Sequence, residues 1–187
     1  AHHQDDNAET FFLHLARGSG LRGLGGIYPV NGMYIRPLLC VGRKEIEDYL
    51  KGREMPYCID ATNMEDAYMR NRIRNHVIPY FKENINEKTV EHMNRSMDQL
   101  REIWDYMERQ TESAYQICTA QNGEKICIHA EAYHRQERLI RKMILRKALA
   151  LVAEHEKDLE QVHVEKLEGL FEKQVGKRLD LPYAVCA

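Results

Sequence analysis

Ala1-His2-His3-Gln4-Asp5-Asp6-Asn7-Ala8-Glu9-Thr10 opens the chain with two imidazoles and three carboxylates. Directly after it, Ala8, Phe11, Phe12 and Leu15 recur at steps of three and four residues, so the spacing predicts a helix from about Asn7 to Arg17 that stops at Gly18-Ser19-Gly20. Asp6 reads as its N-cap. Glu9, three residues on, completes a capping-box pattern, with carboxylates where free backbone donors and the positive helix end favour negative charge. A cap needs one acidic residue, however. Adjacent Asp5 and Asp6 behind two histidines form a density of titratable groups typical of metal or nucleotide-phosphate chemistry, and the two readings stand side by side.

Working outward, the segment 18–26 holds five glycines and reads as a loop that visits unusual backbone angles or approaches a ligand, with Arg17 and Arg22 able to face phosphate. A strand is expected over Met33 to Leu39, with Pro37 marking either its end or an edge position, and a short helix over Gly42 to Arg53 with Ile46, Tyr49 and Leu50 on its apolar face. Tyr57-Cys58-Ile59-Asp60 reads as a strand end leading into Ala61-Thr62-Asn63. A helix then carries Tyr68, Met69, Ile73, Val77 and Ile78 to a stop at Pro79. On it Arg70 and Arg74, four apart, point from one face and suit successive phosphates, or else a solvated face paired to Glu65 or Asp66.

The character changes near Asn84 to Lys88. Val90, Met93, Met97, Leu100, Trp104 and Met107 alternate steps of three and four, a helical stripe read as core of a second domain. Asn122-Gly123 marks a turn before the alternating strand 125–129. A second long helix is expected from Glu131 to about Glu154, with Leu139, Ile140, Met143, Ile144, Leu149 and Val152 facing the first stripe. Arg135, Arg138, Arg141, Lys142, Arg146 and Lys147 lie on its other side, either a solvated face or a phosphate contact. A shorter helix ends near Lys173, and Leu179 to Val185 reads as a strand cut near its partner.

At 187 residues and 43% hydrophobic composition the chain supports real cores, and a formal charge of −2 leaves any RNA site to a local patch. The five cysteines are widely spaced with no Cys-x-x-Cys pair, which argues against a disulfide framework or zinc ribbon and fits a reducing cytoplasm. No apolar run approaches the roughly 20 residues that span a bilayer, so no membrane is implied.

The string His-His-x-Asp-Asp-x-x-Glu-Thr, followed by Arg17-Gly18-Ser19-Gly20-Leu21-Arg22-Gly23-Leu24, resembles a signature of the tRNA(Ile)-lysidine synthetase family, within the N-type ATP pyrophosphatase superfamily. Arg36-Pro37-Leu38-Leu39, Asp60-Ala61-Thr62-Asn63 and Arg70-Asn71-Arg72-Ile73-Arg74 follow in the family's order. The resemblance implies a mainly α chain with short strands. Residues 1–86 would be the C-terminal remnant of an α/β adenine nucleotide alpha hydrolase-like (Rossmann-like) domain, and 87–187 a helical domain that binds tRNA or substrate. The family's Ser-Gly-Gly-x-Asp-Ser phosphate loop is absent from the sequence, so the chain is expected to be a fragment that binds ATP poorly and forms no lysidine alone.

The activity implied is ATP- and Mg²⁺-dependent ligation of L-lysine to C2 of the anticodon wobble cytidine of tRNA(Ile), in the cytoplasm, through an adenylated intermediate; a homodimer is compatible with it. The resemblance implies that Asp6, or His2 near it, takes the amine proton and that Glu9 holds the lysine ammonium group. It assigns His3, Asp5 and Arg17 to the nucleotide, Asp5 also to the metal ion, and Arg70, Asn71 and Arg74 to tRNA. The alternatives are a His/Asp metal phosphohydrolase, which would need further ligands, and a non-catalytic helical module that binds RNA or protein.

Overall fold

The computed structural model describes residues 2–58, 68–154, 159–173 and 176–187. The chain is mainly helical, and among the described residues its strands form two antiparallel two-stranded hairpins. The loop expected at Asp60 to Asn63 lies outside the described residues. Packing divides the chain into two units, Ala1–Trp104 and Asp105–Ala187, and the division falls within one helix, α6.

The first unit begins with α1 (Gln4–Ala16), three residues earlier than the spacing suggested. Asp6 is not its cap. His3 is, with its Nδ1 accepting from the Asp6 amide at 3.4 Å while Asp6 Oδ2 accepts from the His3 amide at 3.0 Å. The imidazole supplies the acceptor that Asp6 was expected to provide, and the Gln4 amide, donating to Val41 O at 3.0 Å, fixes the chain's entry into the helix. Glu9 is thereby released from capping.

After α1, Gly18 at φ +70° breaks the helix, and the glycine-rich segment contains a short helix, α2 (Leu21–Leu24). The strand expected over Met33 to Leu39 is instead a tight hairpin, β1 (Val30–Asn31) against β2 (Tyr34–Ile35), turning at Gly32 with φ +57°. Pro37, which has no amide to give a ladder, opens a 3₁₀ turn, Pro37–Cys40. Next comes α3 (Arg43–Gly52), where Glu45 Oε2 accepts from the Gly42 amide at 2.7 Å. Of its expected apolar face, Tyr49 is exposed.

The helix bearing the two arginines does not stop at Pro79. It runs from α4 (Met69–Arg72) through a π turn (Ile73–Val77) into α5 (Ile78–Asn84). Proline cannot make the bond to the carbonyl four residues back, here Asn75. Pro79 falls in the first turn of α5, directly after the π turn, a position where its missing amide is tolerated. Next, α6 (Thr89–Cys118) carries the stripe as expected, with Val90, Met97 and Met107 buried. The first unit's core joins Ala8, Ile73, Ile78 and Val90, flanked by Phe12, Leu13, Val77 and Met93. Phe12 meets Phe81 edge-on at 5.2 Å.

In the second unit β3 (Thr119–Asn122) pairs with β4 (Lys125–Ile128) about Gly123. The helix expected from Glu131 to Glu154 is two, α7 (Ala130–His134) and α8 (Arg138–Ala153), separated by an extended Glu137. In α7 the fully buried Tyr133 ring stacks on Phe171 at 4.4 Å. The buried face of α8 is Ile144, Leu145, Ala148 and Leu149, while Leu139 and Val152 are exposed. Several cations of the 135–147 stretch are engaged: Arg135 with Glu131, Lys142 with Glu165 and Lys147 with Glu112. α9 (Gln161–Glu168) continues into a 3₁₀ turn, Gly169–Glu172. The last residues are not a strand cut from its partner; they fold back on themselves, Leu179 and Ala187 exchanging backbone bonds of 2.8 and 3.0 Å. The five cysteines are free thiols.

Two outcomes follow from this packing. A Cβ on Gly26, at φ +70°, would lie 2.4 Å from Asn7 Oδ1 and 2.5 Å from Met97 Sδ. Gly26→Ala should therefore cost about 2–4 kcal/mol in urea unfolding, from backbone strain plus overpacking. Tyr133 has a buried hydroxyl without a hydrogen-bond partner, and burial, with the charge of Glu168, pushes its phenol up to about 12. The unfolded phenol loses its proton near 10, so the unfolded chain binds fewer protons between pH 10 and about 12 and stability must fall across that window. Tyr133→Phe should be neutral or stabilising at pH 8 and should flatten the fall above pH 10, measured by unfolding across pH 8–12.

Candidate functional site

The first turn of α1 meets the α4–α5 run at a buried knot of charge. Glu9 has a side chain only 1% exposed, and both its oxygens are taken. Arg70 Nε donates to Oε2 at 2.7 Å, Arg74 Nε to Oε1 at 2.5 Å, and a second Arg74 nitrogen to Oε2 at 3.1 Å. Asp6 divides its carboxylate: Oδ2 holds the His3 cap, and Oδ1 accepts from Arg74 at 3.2 Å and Arg70 at 3.4 Å. The hydrogen bond to Glu9 raises the Arg74 pKa against the opposing effect of burial, and the charges of Glu9, Asp6 and Asp5 reinforce it.

Asp5 points elsewhere. Its Oδ2 accepts from the Arg43 amide at 2.8 Å, tying the start of α1 to the start of α3 where the helix dipole favours a carboxylate. His3 lies between the two aspartates, its ring nitrogens 3.6 Å from Asp5 and 3.4 Å from Asp6. His3, Asp5, Asp6, Glu9, Arg70 and Arg74 are thus brought together, and buried Asn71 lies between the two arginines in sequence. His2 sits just before the cap. Arg17 is not part of the group: it caps the opposite end of α1, about 16 Å along the axis from Asp6, and is exposed.

Sequence reading missed the residues that hold this helix end in place. Asn7 Nδ2 donates to Asn94 Oδ1 at 2.8 Å, and Asn7 Oδ1 accepts from the Ile27 amide at 2.7 Å. Asn94 Nδ2 in turn reaches Gln4 O and Val90 O. These amides close a fully bonded buried network that joins α1, the Gly26 turn and α6. The signal available was a polar residue at a stripe-adjacent helical position, Asn94, and one beside Ala8 and a turn before Phe11, Asn7. A cavity of about 420 Å³ also touches Gln4 and Asn94, lined further by Arg36, Cys40, Asp98 and Arg101. Its arginines hold the Tyr28 and Ile27 carbonyls, which marks them as scaffold of that turn.

The cluster can do three things chemically. Asp6 and Asp5, with side chains 12% and 28% exposed, are the carboxylates within reach of a ligand. Glu9, with guanidinium donors on both oxygens and a side chain 1% exposed, is closed to an ammonium group in this arrangement and orients Arg70 and Arg74 instead. Arg70, 39% exposed, keeps donors free for an anion. Glu9→Gln should destabilise the protein by about 2–3 kcal/mol, less than the ~3–5 kcal/mol of a fully buried pair because the arginines keep some solvent. Chemical denaturation checks this, and a cost below about 0.5 kcal/mol would mean that Glu9 does not anchor the pair.

A model of the PP-loop domain family matches residues 1–81. The chain is 42% identical over 99% of its length to a tRNA(Ile)-lysidine synthase of Caldanaerobacter subterraneus subsp. tengcongensis, 35% identical over 100% to one of Clostridium perfringens, and 34% identical over 97% to one of Geobacter sulfurreducens. It spans 40%, 40% and 39% of those relatives' lengths.

Proposed function

Because the chain belongs to the tRNA(Ile)-lysidine synthase family, we propose that it carries the lysine-transfer and tRNA-gripping part of an ATP-dependent ligase. That enzyme would join L-lysine to C2 of the wobble cytidine of tRNA(Ile), acting in the cytoplasm and compatible with a homodimer. Residues 1–86 are assigned to the C-terminal part of an N-type ATP pyrophosphatase domain of Rossmann-like fold, a reading supported by the PP-loop match. Residues 87–187 are assigned to a helical domain that binds tRNA or substrate.

The observation that carries the proposal is the pairing of Asp6 and Glu9 with Arg70 and Arg74, two segments over 60 residues apart held as one charged unit. An ammonium has no lone pair, so lysine must lose a proton before its amine can attack the activated carbon. The Asp6 side chain is 12% exposed, with Oδ1 next to the two guanidiniums, and His2 lies upstream; Asp6 is our choice for the group that accepts or orients that proton. Glu9 orients Arg70 and Arg74, whose remaining donors would meet the tRNA backbone or the activated base, with Asn71 beside them in sequence.

The residues present fit ATP and Mg²⁺ only in part. The sequence has no Ser-Gly-Gly-x-Asp-Ser loop, and Gly18 follows the C-terminal end of α1, where carbonyls rather than amides face outward and repel a phosphate. Among the described residues no three His, Cys, Asp or Glu gather to hold a metal ion. Asp5 could give Mg²⁺ one carboxylate oxygen, its Oδ1, which suits an ion held mainly by water and phosphate. The phosphohydrolase alternative needs the larger ligand set.

The test uses the complete protein with ATP, lysine and tRNA(Ile). Asp6→Asn keeps the shape and should slow single-turnover lysine transfer about 10²–10⁴-fold while tRNA affinity stays nearly constant. Unchanged transfer with weakened tRNA binding would overturn the assignment and leave Asp6 as part of the cap.

A further inference from the structure

The outer side of the 68–84 run is not used by the charged knot. Arg70 and Arg74 turn inward to Glu9, whereas Tyr68, Arg72, His76 and Tyr80 are exposed, the two tyrosines by 66% and 59%. The four recur at every fourth residue, aromatic at both ends with a guanidinium and an imidazole between them. In an unbroken α-helix each such step drifts by about 40°, and three steps would carry Tyr80 well around the axis from Tyr68. The π turn at Ile73–Val77 lies in the middle, and its wider winding offsets part of that drift. The row therefore stays on one side, with steps of about 6 Å along the axis.

One exposed tyrosine needs no explanation, but a regular row of aromatic and cationic groups does. Tyrosine faces stack on unpaired bases, and guanidinium neutralises the phosphates between them, which is the chemistry that holds single-stranded RNA. A duplex, read through shape and phosphate, has no use for the rings. Arg72 and His76 keep contacts of their own, and the five donors of a guanidinium leave room for a phosphate.

We propose that Tyr68, Arg72, His76 and Tyr80 form a stacking row for the unpaired loop nucleotides of the tRNA, about one helix diameter (~10–12 Å) from the knot that faces the reacting base. The inference rests on the tRNA-modifying reading above and adds the site that grips the loop. Both tyrosines supply stacking faces, and Arg72 supplies the phosphate contact. The same helical run thus presents its inner side to Glu9 and its outer side to RNA.

The experiment measures binding of a tRNA(Ile) transcript, its isolated anticodon stem-loop and a blunt RNA duplex to the complete protein across a salt series. Tyr68→Ala and Tyr80→Ala should each weaken tRNA and stem-loop binding about 10-fold and leave duplex binding unchanged, while the Phe variants retain wild-type affinity. Arg72→Ala should reduce the slope of log affinity against log salt by about one. Unchanged stem-loop affinity in both Ala variants overturns the row, as does an equal loss in the Phe variants, which would implicate the hydroxyls. A marked drop in melting temperature for the Ala variants with RNA binding intact would show that the face is covered within the protein, and also overturns it. Failure of the wild-type protein to bind any of the tRNA probes is a different result, and overturns the function proposed above together with the row.

Discussion

A carboxylate without access to water has to be neutralised where it lies, and Glu9 is that carboxylate. Burying it alone would cost several kcal/mol. Arg70 and Arg74 remove the penalty with three hydrogen bonds, two of them through Nε atoms that require the guanidinium planes to lie alongside the carboxylate. Since the arginines sit four residues apart on one run, their joint grip fixes both the rotation and the height of that run against α1. Ala8, Ile73 and Ile78 then close around it, and that apolar contact is the consequence of the docking as much as its cause.

The cap of α1 belongs to the same arrangement. With His3 satisfying the helix end, Asp6 can divide its oxygens between the cap and the arginines, and Glu9 can be given over to the arginines entirely. Asp5, turned to the Arg43 amide, connects the helix start to α3. Three carboxylates within five residues thus take three different surroundings, and their exposure grades from 28% at Asp5 through 12% at Asp6 to 1% at Glu9. Such grading separates roles: the buried group organises cations, and the more open ones remain available to a ligand. The Asn7–Asn94 pair holds the backbone beneath them without adding charge.

The π turn shows how local strain and site geometry are shared. Extra winding between Arg72 and Ile78 accommodates Pro79 and shifts the phase of everything after it. A helix that ended at Pro79, as proline's missing amide suggested, would have left Phe81 unable to meet Phe12 and would have removed one wall of the first core.

What the sequence determined by itself was whatever is encoded within a few residues. The three- and four-residue recurrences placed α1 and α6, Asn122-Gly123 placed the β3–β4 turn, and the density of His2, His3, Asp5, Asp6 and Glu9 drew attention to the candidate site. The order of motifs from His2 to Arg74 pointed to the family. What only the tertiary structure decided depended on partners distant in the chain. His3 became the cap because Val41 O fixes the amide of Gln4 that follows it; Glu9 became an organiser because two guanidiniums arrive from over 60 residues away. Asn7 and Asn94 looked like ordinary polar positions until their amides met across 87 residues. Local periodicity reports which face of a helix is apolar, but a hydrogen bond or ion pair between segments depends on where both chains are placed, and that placement is set by the packed core.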